Sequence, residues 1–314
     1  MVKQTKLGQI TTKIRKHKTF EPPVCNNENL PPVYHIVLSA SPKGGGKTYN
    51  CVQLLTNYEI AGFRNPENNT EVKMRTIWLS GGTSNSKQNT ILNTLKSLDT
   101  DDRIDIEDQF ESTFNDIYEE LLTEKKAIEE YNEYIKAWTK WKNARVSNLS
   151  DEELIMLNEK EFVNPREDPT RPRDKYGNIL HNPRCVFMVF DDLIGTDAFS
   201  NKRKNFINKL AIKSRHDSDK LVPINLFFIT QSFKHIPPVI RKQTDLFVLL
   251  KSASRKIIID AISDEVGSHF TKEQIEDYYD YASTIPYGAL ILSIHKREKD
   301  ENRVRLGWDN ILNI

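Results

Sequence analysis

Eight residues constrain this chain more than any others: Ser41-Pro-Lys-Gly-Gly-Gly-Lys-Thr48, set directly after the apolar run Tyr34-His-Ile-Val-Leu-Ser-Ala40. An apolar run that meets a glycine-rich stretch predicts a buried strand feeding a tight loop. Cys51, Leu54 and Leu55 beyond it carry the spacing of a helix starting near Lys47. Consecutive glycines let backbone N–H groups converge on an anion at the positive end of the next helix. The segment matches the phosphate-loop pattern except that Ser41 stands where a first glycine is expected. Strand, loop and helix in that order are the context the pattern requires. They predict a site for ATP and Mg²⁺ lined by Ser41, Pro42, Lys43, Gly44, Gly45, Gly46, Lys47, Thr48 and Tyr49. Lys47 belongs on the β- and γ-phosphate oxygens, and the Thr48 hydroxyl on the metal. For Lys43 a phosphate contact and a solvated side chain are both open.

A second apolar run, Cys185-Val-Phe-Met-Val-Phe190, ends in Asp191-Asp192. Two acids at the tip of a buried strand can divide the work of a hydrolase. One, Asp191 for preference, holds the Mg²⁺ shell, and the other orients or deprotonates the attacking water. A third apolar run, Ile224-Asn-Leu-Phe-Phe-Ile-Thr230, closes on Gln231. In a parallel sheet that end sits beside Asp191, where a glutamine can sense the terminal phosphate or place a water.

Around these motifs, residues 75–80, 246–250, 289–294 and 303–306 read as strands, and residues 205–213, 255–263 and 272–282 as helices. Apolar strands alternating with helices predict an α/β fold with a largely parallel central sheet. Lys3, Lys6, Lys13, Arg15, Lys16 and Lys18 precede the first acid, Glu21, so residues 1–32 read as a basic N-terminal arm and 33–314 as the main domain. Ile117, Leu121, Ile128, Ile135 and Trp138 recur at helical spacing, and Pro165, Pro169, Pro172 and Pro183 punctuate the polar stretch after them. The region from about 101 to 183, with a short helix near 152–157, is therefore read as a mainly helical insertion.

The net charge of +1 neither favours nor excludes nucleic acid, but the segment from Lys202 to Lys256 is mainly basic. Cys25, Cys51 and Cys185 are widely spaced without a CxxC pair, which argues against disulfides or zinc and for a reducing compartment. No apolar run approaches the ~18 residues that span a bilayer, and no apolar segment comes after the N-terminal charges. A soluble intracellular protein, with no membrane partner, is expected.

Leu210-Ala-Ile-Lys-Ser-Arg-His216, the strand 225–230, Gln231-Ser232 and Ile240-Arg241 together resemble the FtsK–HerA superfamily, as does Lys251-Ser-Ala-Ser-Arg255 leading to Ile258. The Arg-His before that strand and the Gln-Ser after it are most similar to the genome-packaging ATPases. These belong to poxviruses, other large DNA viruses, virophages and Polinton-type elements. The resemblance covers residues 33–80 and 185–263. It implies a RecA-like, additional-strand P-loop NTPase, with Lys47 and Thr48 on nucleotide and Mg²⁺, Asp191 and Asp192 as the acids, and Gln231 as the polar sensor. It also implies an arginine supplied by a neighbouring subunit, Arg215 first and Arg241 second. The activity implied is ATP-driven movement of double-stranded DNA by a homo-oligomeric ring that packages a viral genome. Capsid or portal proteins would be further partners, and a viral factory or virion its place.

Two departures stand out. Ser41 replaces a glycine, and Asp-Asp stands where many such motors have Asp-Glu. The insertion has no counterpart in the family. Lys202, Arg203, Lys204 and Lys234 are candidates for gripping DNA phosphates or for an ordinary solvated rim. Tyr278, Tyr279, Trp138 and Trp141 read as packing residues and His216 as structural. Two other functions remain open on sequence: a P-loop kinase acting on a nucleotide or polynucleotide, with residues 166–173 as its lid, and an ATP-gated assembly protein without motor activity.

Overall fold

The computed structural model describes residues 21–81, 90–106, 110–143, 149–193, 199, 205–216, 221–252 and 254–312. From the N-terminus, β1 (Val24–Cys25), β2 (Ile36–Ala40), α1 (Lys47–Ala61), β3 (Phe63–Arg64), β4 (Glu71–Val72) and β5 (Met74–Gly81) lead to β6 (Leu98–Ile106). The long helix α2 (Phe110–Lys142) and the short α3 (Asp151–Glu159) are next. Then come β7 (Cys185–Asp191), α4 (Phe206–Lys213), β8 (Ile224–Thr230), α5 (Pro238–Gln243), β9 (Leu246–Leu250), α6 (Arg255–Val266) and α7 (Lys272–Ser283). Strands β10 (Ala289–Ser293), β11 (Val304–Leu306) and β12 (Asn310–Ile311) end the described chain.

One sheet carries the order β12-β11-β10-β9-β2-β8-β7-β5-β6. From β9 to β6 every pairing is parallel, and β10, β11 and β12 extend it antiparallel. Parallel strands must be covered on both faces, which explains why β2, β7, β8 and β9 are buried at every position. Side chains alternate between faces along each strand. Val37, Trp78, Phe187, Val189, Phe227 and Ile229 pack under α1, while Leu38, Leu79, Met188, Phe190 and Phe228 face α2, α4, α5, α6 and α7. Strand β8 lies between β2, which feeds the glycine loop, and β7, which ends in the acids. This interposed strand is the expected additional-strand, RecA-like P-loop architecture.

Two boundaries differ from the sequence reading. The stretch from about 101 opens inside β6, which pairs with β5 at the edge of the main sheet, so the sheet runs five residues or more past the expected start of the insertion. The sequence Leu-Asp-Thr-Asp-Asp-Arg-Ile-Asp-Ile hides a strand because an edge strand is half solvated. Its inward acid Asp102 is offset by Arg75, with Nη2 to Oδ1 at 2.7 Å. The first half of α2 also belongs to the main core, since Phe110, Phe114, Ile117, Tyr118, Leu121 and Leu122 pack there. Only from Tyr131 onward does α2 join a separate cluster with Tyr134, Ala137 and Leu157 of α3, against which Trp138 packs. The segment expected as an extended arm, 1–32, is likewise built into the fold from Val24: β1 pairs with β3, and Leu30 is buried. Residues 1–20 lie outside the described residues.

Candidate functional site

Parallel strands bring all their carboxyl ends to one edge, and the register fixes how closely the motifs meet there. Ala40 is level with Thr230, Ser39 and Asp191 are each level with Ile229, and Ser80 is level with Asp191. The loop 41–46, Asp191, Asp192 and Gln231 therefore share one edge, spread over β2, β8 and β7. Ser41 N–H donates to the Thr230 carbonyl at 3.2 Å, which ties the start of the loop to the end of β8.

Inside the loop, two glycines are required for different reasons. Gly46 sits at φ 88° as the N-cap of α1, a left-handed conformation that side chains resist. At Gly45 a Cβ would stand 2.1 Å from Ser41 Oγ, so the residue that replaces the pattern's first glycine packs where only a glycine can face it. Ser41 is itself buried, its hydroxyl donating to the Pro42 carbonyl at 3.2 Å. No side chain caps α1, whereas Ser150, Asn205 and Thr271 cap α3, α4 and α7.

Lys47 is half-buried and folds back on its own loop, donating from Nζ to the carbonyls of Ser41 (2.7 Å) and Pro42 (3.1 Å). Burial holds its ammonium below the usual lysine range, while Asp191 and then Asp192 pull it back up. That mutual influence places the cation and both carboxylates in one electrostatic neighbourhood. Asp191 alternates with Val189 and so faces α1, whose Cys51 thiol is pushed well up by burial and by the Asp191 charge. Thr48 is partly exposed in the first turn of the same helix, Tyr49 is 57% exposed, and Lys43 is exposed.

Asp192 takes φ 53°, a conformation that few side chains other than Asn and Asp adopt. Its N–H donates to the Ile229 carbonyl at 2.9 Å, and its Oδ2 accepts from Gln231 Nε2 at 2.8 Å. The expected neighbourhood of Gln231 and the acids is thus a direct hydrogen bond, made to the second aspartate. Lys234 is exposed just beyond, while Lys202, Arg203 and Lys204 lie outside the described residues. Tyr278 and Tyr279 are buried, Tyr279 Oη donating to the Leu250 carbonyl at 3.1 Å. His216 is exposed.

The two candidate arginines go elsewhere within the chain. Arg215 comes after α4 at the opposite, amino edge of the sheet, where its Nη2 lies 3.0 Å from Asp245 Oδ2 and also donates to the Gln243 carbonyl. Asp245 in turn accepts from the Ile36 N–H at 2.8 Å. Burial pushes the Asp245 carboxyl up to about 6 against the pull of Arg215, and burial holds neighbouring His35 down to about 4. Arg241 in α5 faces Glu265 at 3.9 Å. The sequence reading missed this buried polar knot, because Asp245 and His35 look like ordinary strand flanks until the sheet brings them together. The Arg-rich segment 166–173 is also at the amino edge: Arg173 lines a cavity of about 340 Å³ with Lys73, Met74 and Arg75. A lid over the glycine loop would need it at the other end.

Among the described residues no group of three or more His, Cys, Asp or Glu side chains could hold a metal by itself. A cation at this edge would take Thr48, Asp191 and phosphate oxygens, the hard oxygen set that suits Mg²⁺. Among the described residues no helix is long and apolar enough to cross a membrane.

No family model matches the chain, and no curated protein matches it. Among solved structures it is similar to the DNA-packaging ATPase B204 of Sulfolobus turreted icosahedral virus, at 11% identity over 83% of this chain and 92% of that one, TM-score 0.40. The genome-packaging NTPase B204 of Sulfolobus turreted icosahedral virus 2, in complex with ATP-γS, aligns at 11% identity over 88% and 98%, TM-score 0.39. ATPases 2 and 3 of EssC from Geobacillus thermodenitrificans align at 14% identity over 88% of this chain and 40% of that one, TM-score 0.39. Likeness at this level says nothing of this chain's chemistry, which its own geometry has to carry.

Proposed function

We propose that this chain is an ATP hydrolase that works as a ring-forming translocase of double-stranded DNA, the class of motor that loads a viral genome into its capsid. The observation that carries the hydrolase is the meeting of Lys47, Asp191, Asp192 and Gln231 at the edge where α1 begins uncapped. Backbone N–H groups of Gly44–Thr48 and the Lys47 ammonium bind the β- and γ-phosphates. Thr48 and Asp191 would hold Mg²⁺, which would supply positive charge against the negative charge that develops on the phosphates. Asp192, fixed by Gln231, orients the attacking water and accepts its proton.

In this reading Gln231 acts through Asp192. Gln231→Ala leaves Asp192 free to turn, and we expect kcat to fall roughly 10- to 100-fold with KM for ATP changed less than about threefold. A matching rise in KM would place Gln231 on the nucleotide itself.

Support for the motor comes from Arg215-His216, the strand β8, Gln231-Ser232 and the exposed Lys234 beside the site. Capsid or portal proteins are its partners in this reading, and the viral factory or virion its place. A neighbour's arginine completes the site; Arg215 and Arg241 can serve only by exchanging the acids that hold them, Asp245 and Glu265. The decisive experiment measures ATP turnover with and without duplex DNA over a salt series. Severalfold stimulation by the duplex that fades as salt rises is the expected result. Turnover indifferent to DNA would refute the translocase while leaving the hydrolase standing.

A further inference from the structure

The edge that carries Asp191 also carries a hydroxyl that the proposed hydrolysis leaves unused. Ser80 is the next-to-last residue of β5 and pairs in register with Asp191 on the adjoining strand. Register partners in parallel strands point to the same face, and neighbouring strands lie about 4.8 Å apart. Ser80 therefore stands beside Asp191 on the face that packs under α1, the helix that starts with Lys47 and Thr48. It is fully buried, and its Oγ has no hydrogen-bond partner among the described residues.

A buried hydroxyl without a partner is costly, and native structures keep one mainly where water, an ion or catalysis employs it. Three strands away at the same level, Ser39 Oγ is also without a partner, but Ser39 shares a cavity of about 10 Å³ with Asn50 and Cys51. A space of that size is about what one water needs, so a single water there can satisfy Ser39 without reference to function. Ser80 is placed differently, with a carboxylate as its register neighbour.

We infer that Ser80 is a positioning residue: its hydroxyl hydrogen-bonds a water of the Mg²⁺ shell and fixes that shell against Asp191. The inference rests on the proposed nucleotide site. Mg²⁺ keeps several waters when it binds beside phosphates, and each bound water needs an acceptor or a donor from the protein to stay oriented. Asp191 alone can direct a shell water from one side. Ser80 directs it from the adjoining strand, and a hydroxyl suits the task because it can accept from the water without adding a second charge.

The test compares wild type, Ser80→Ala and Ser80→Thr by thermal unfolding without nucleotide and by binding of a fluorescent ATP analogue, with EDTA and over a Mg²⁺ titration. For Ser80→Ala the nucleotide-free midpoint should hold or rise, because a buried group without a partner is removed. Binding in EDTA should be unchanged, while the Mg²⁺ concentration for half-maximal binding should rise about three- to tenfold, as expected for one lost hydrogen bond. Ser80→Thr, which keeps the hydroxyl, should restore the wild-type Mg²⁺ requirement. An unchanged Mg²⁺ requirement in Ser80→Ala overturns the inference. So does a lowered nucleotide-free midpoint with the requirement unaltered, which would mark Ser80 as purely structural. If wild type binds no analogue at all, the nucleotide reading fails and takes this inference with it.

Discussion

Lys47→Ala is expected to lower ATP turnover about 10³-fold or more while the folded chain keeps its thermal midpoint to within a few degrees. The size of the loss reflects the work of the ammonium. Removing a single neutral donor from a preorganised anion site costs about 10²–10³ in rate, and Lys47 is a charged donor in a half-buried position. Stability should hardly move. What the chain itself loses is two hydrogen bonds, from Nζ to the part-buried carbonyl of Ser41 and the exposed carbonyl of Pro42, where water can enter the space the side chain leaves. Asp191 and Asp192 also lose a nearby cation, but the site is relieved of a desolvated charge, and the two changes oppose each other. Lys47→Arg separates charge from shape: the guanidinium keeps the charge, yet its planar fork does not fit a loop closed around a compact ammonium, so turnover stays low. Steady-state hydrolysis and thermal unfolding of the three proteins check the expectation. Wild-type turnover in Lys47→Ala would remove the phosphate site from the glycine loop altogether.

The candidate site was legible in the sequence where chemistry and periodicity coincide. Gly44–Thr48 after an apolar strand, Asp191-Asp192 after another and Gln231 after a third predicted three strand ends at one edge, and the register of β2, β8 and β7 puts them there. Their relation was less legible. That Gln231 bonds Asp192 depends on the left-handed turn at Asp192, which no residue pattern announces. Strand β6 escaped notice because four acids in nine residues disguise an edge strand whose partner Arg75 lies 27 positions away. Ser80 escaped because a serine at a strand end has meaning only once Asp191 is known to stand beside it. Arg215 shows what a motif leaves out. Its place beside a family-like motif drew attention to catalysis, while the fold hands it a buried acid, Asp245, at the other end of the sheet.

The largest expected effect on stability lies far from the glycine loop, at Glu298 and Arg305. Their side chains are 2% and 1% exposed, with Arg305 Nη2 donating to Glu298 Oε1 at 3.0 Å. Ser293 Oγ donates to the other carboxylate oxygen at 3.2 Å, and Arg305 Nη1 donates to the Asn29 carbonyl, so the pair also anchors the entry segment that carries β1 and Leu30. Burial raises the Glu298 carboxyl pKa and Arg305 draws it back down, the signature of a charge that tolerates its site only because its partner is there. Glu298→Ala leaves a guanidinium buried without an anion, for which the expected cost is about 3–5 kcal/mol. Against a typical total of roughly 5–15 kcal/mol, that is a large fraction, enough to lower the denaturant midpoint sharply. Replacing both residues tells the charge apart from the packing. Glu298→Leu with Arg305→Met removes the ion pair while filling similar volume, and is expected to recover most of the loss, since a buried pair and a well-packed apolar substitute are often near equal. Urea unfolding of the wild type, the single variant and the double variant measures all three. A loss under about 1 kcal/mol in Glu298→Ala would mean that water reaches Arg305 in solution and that the segment around Asn29 opens to admit it.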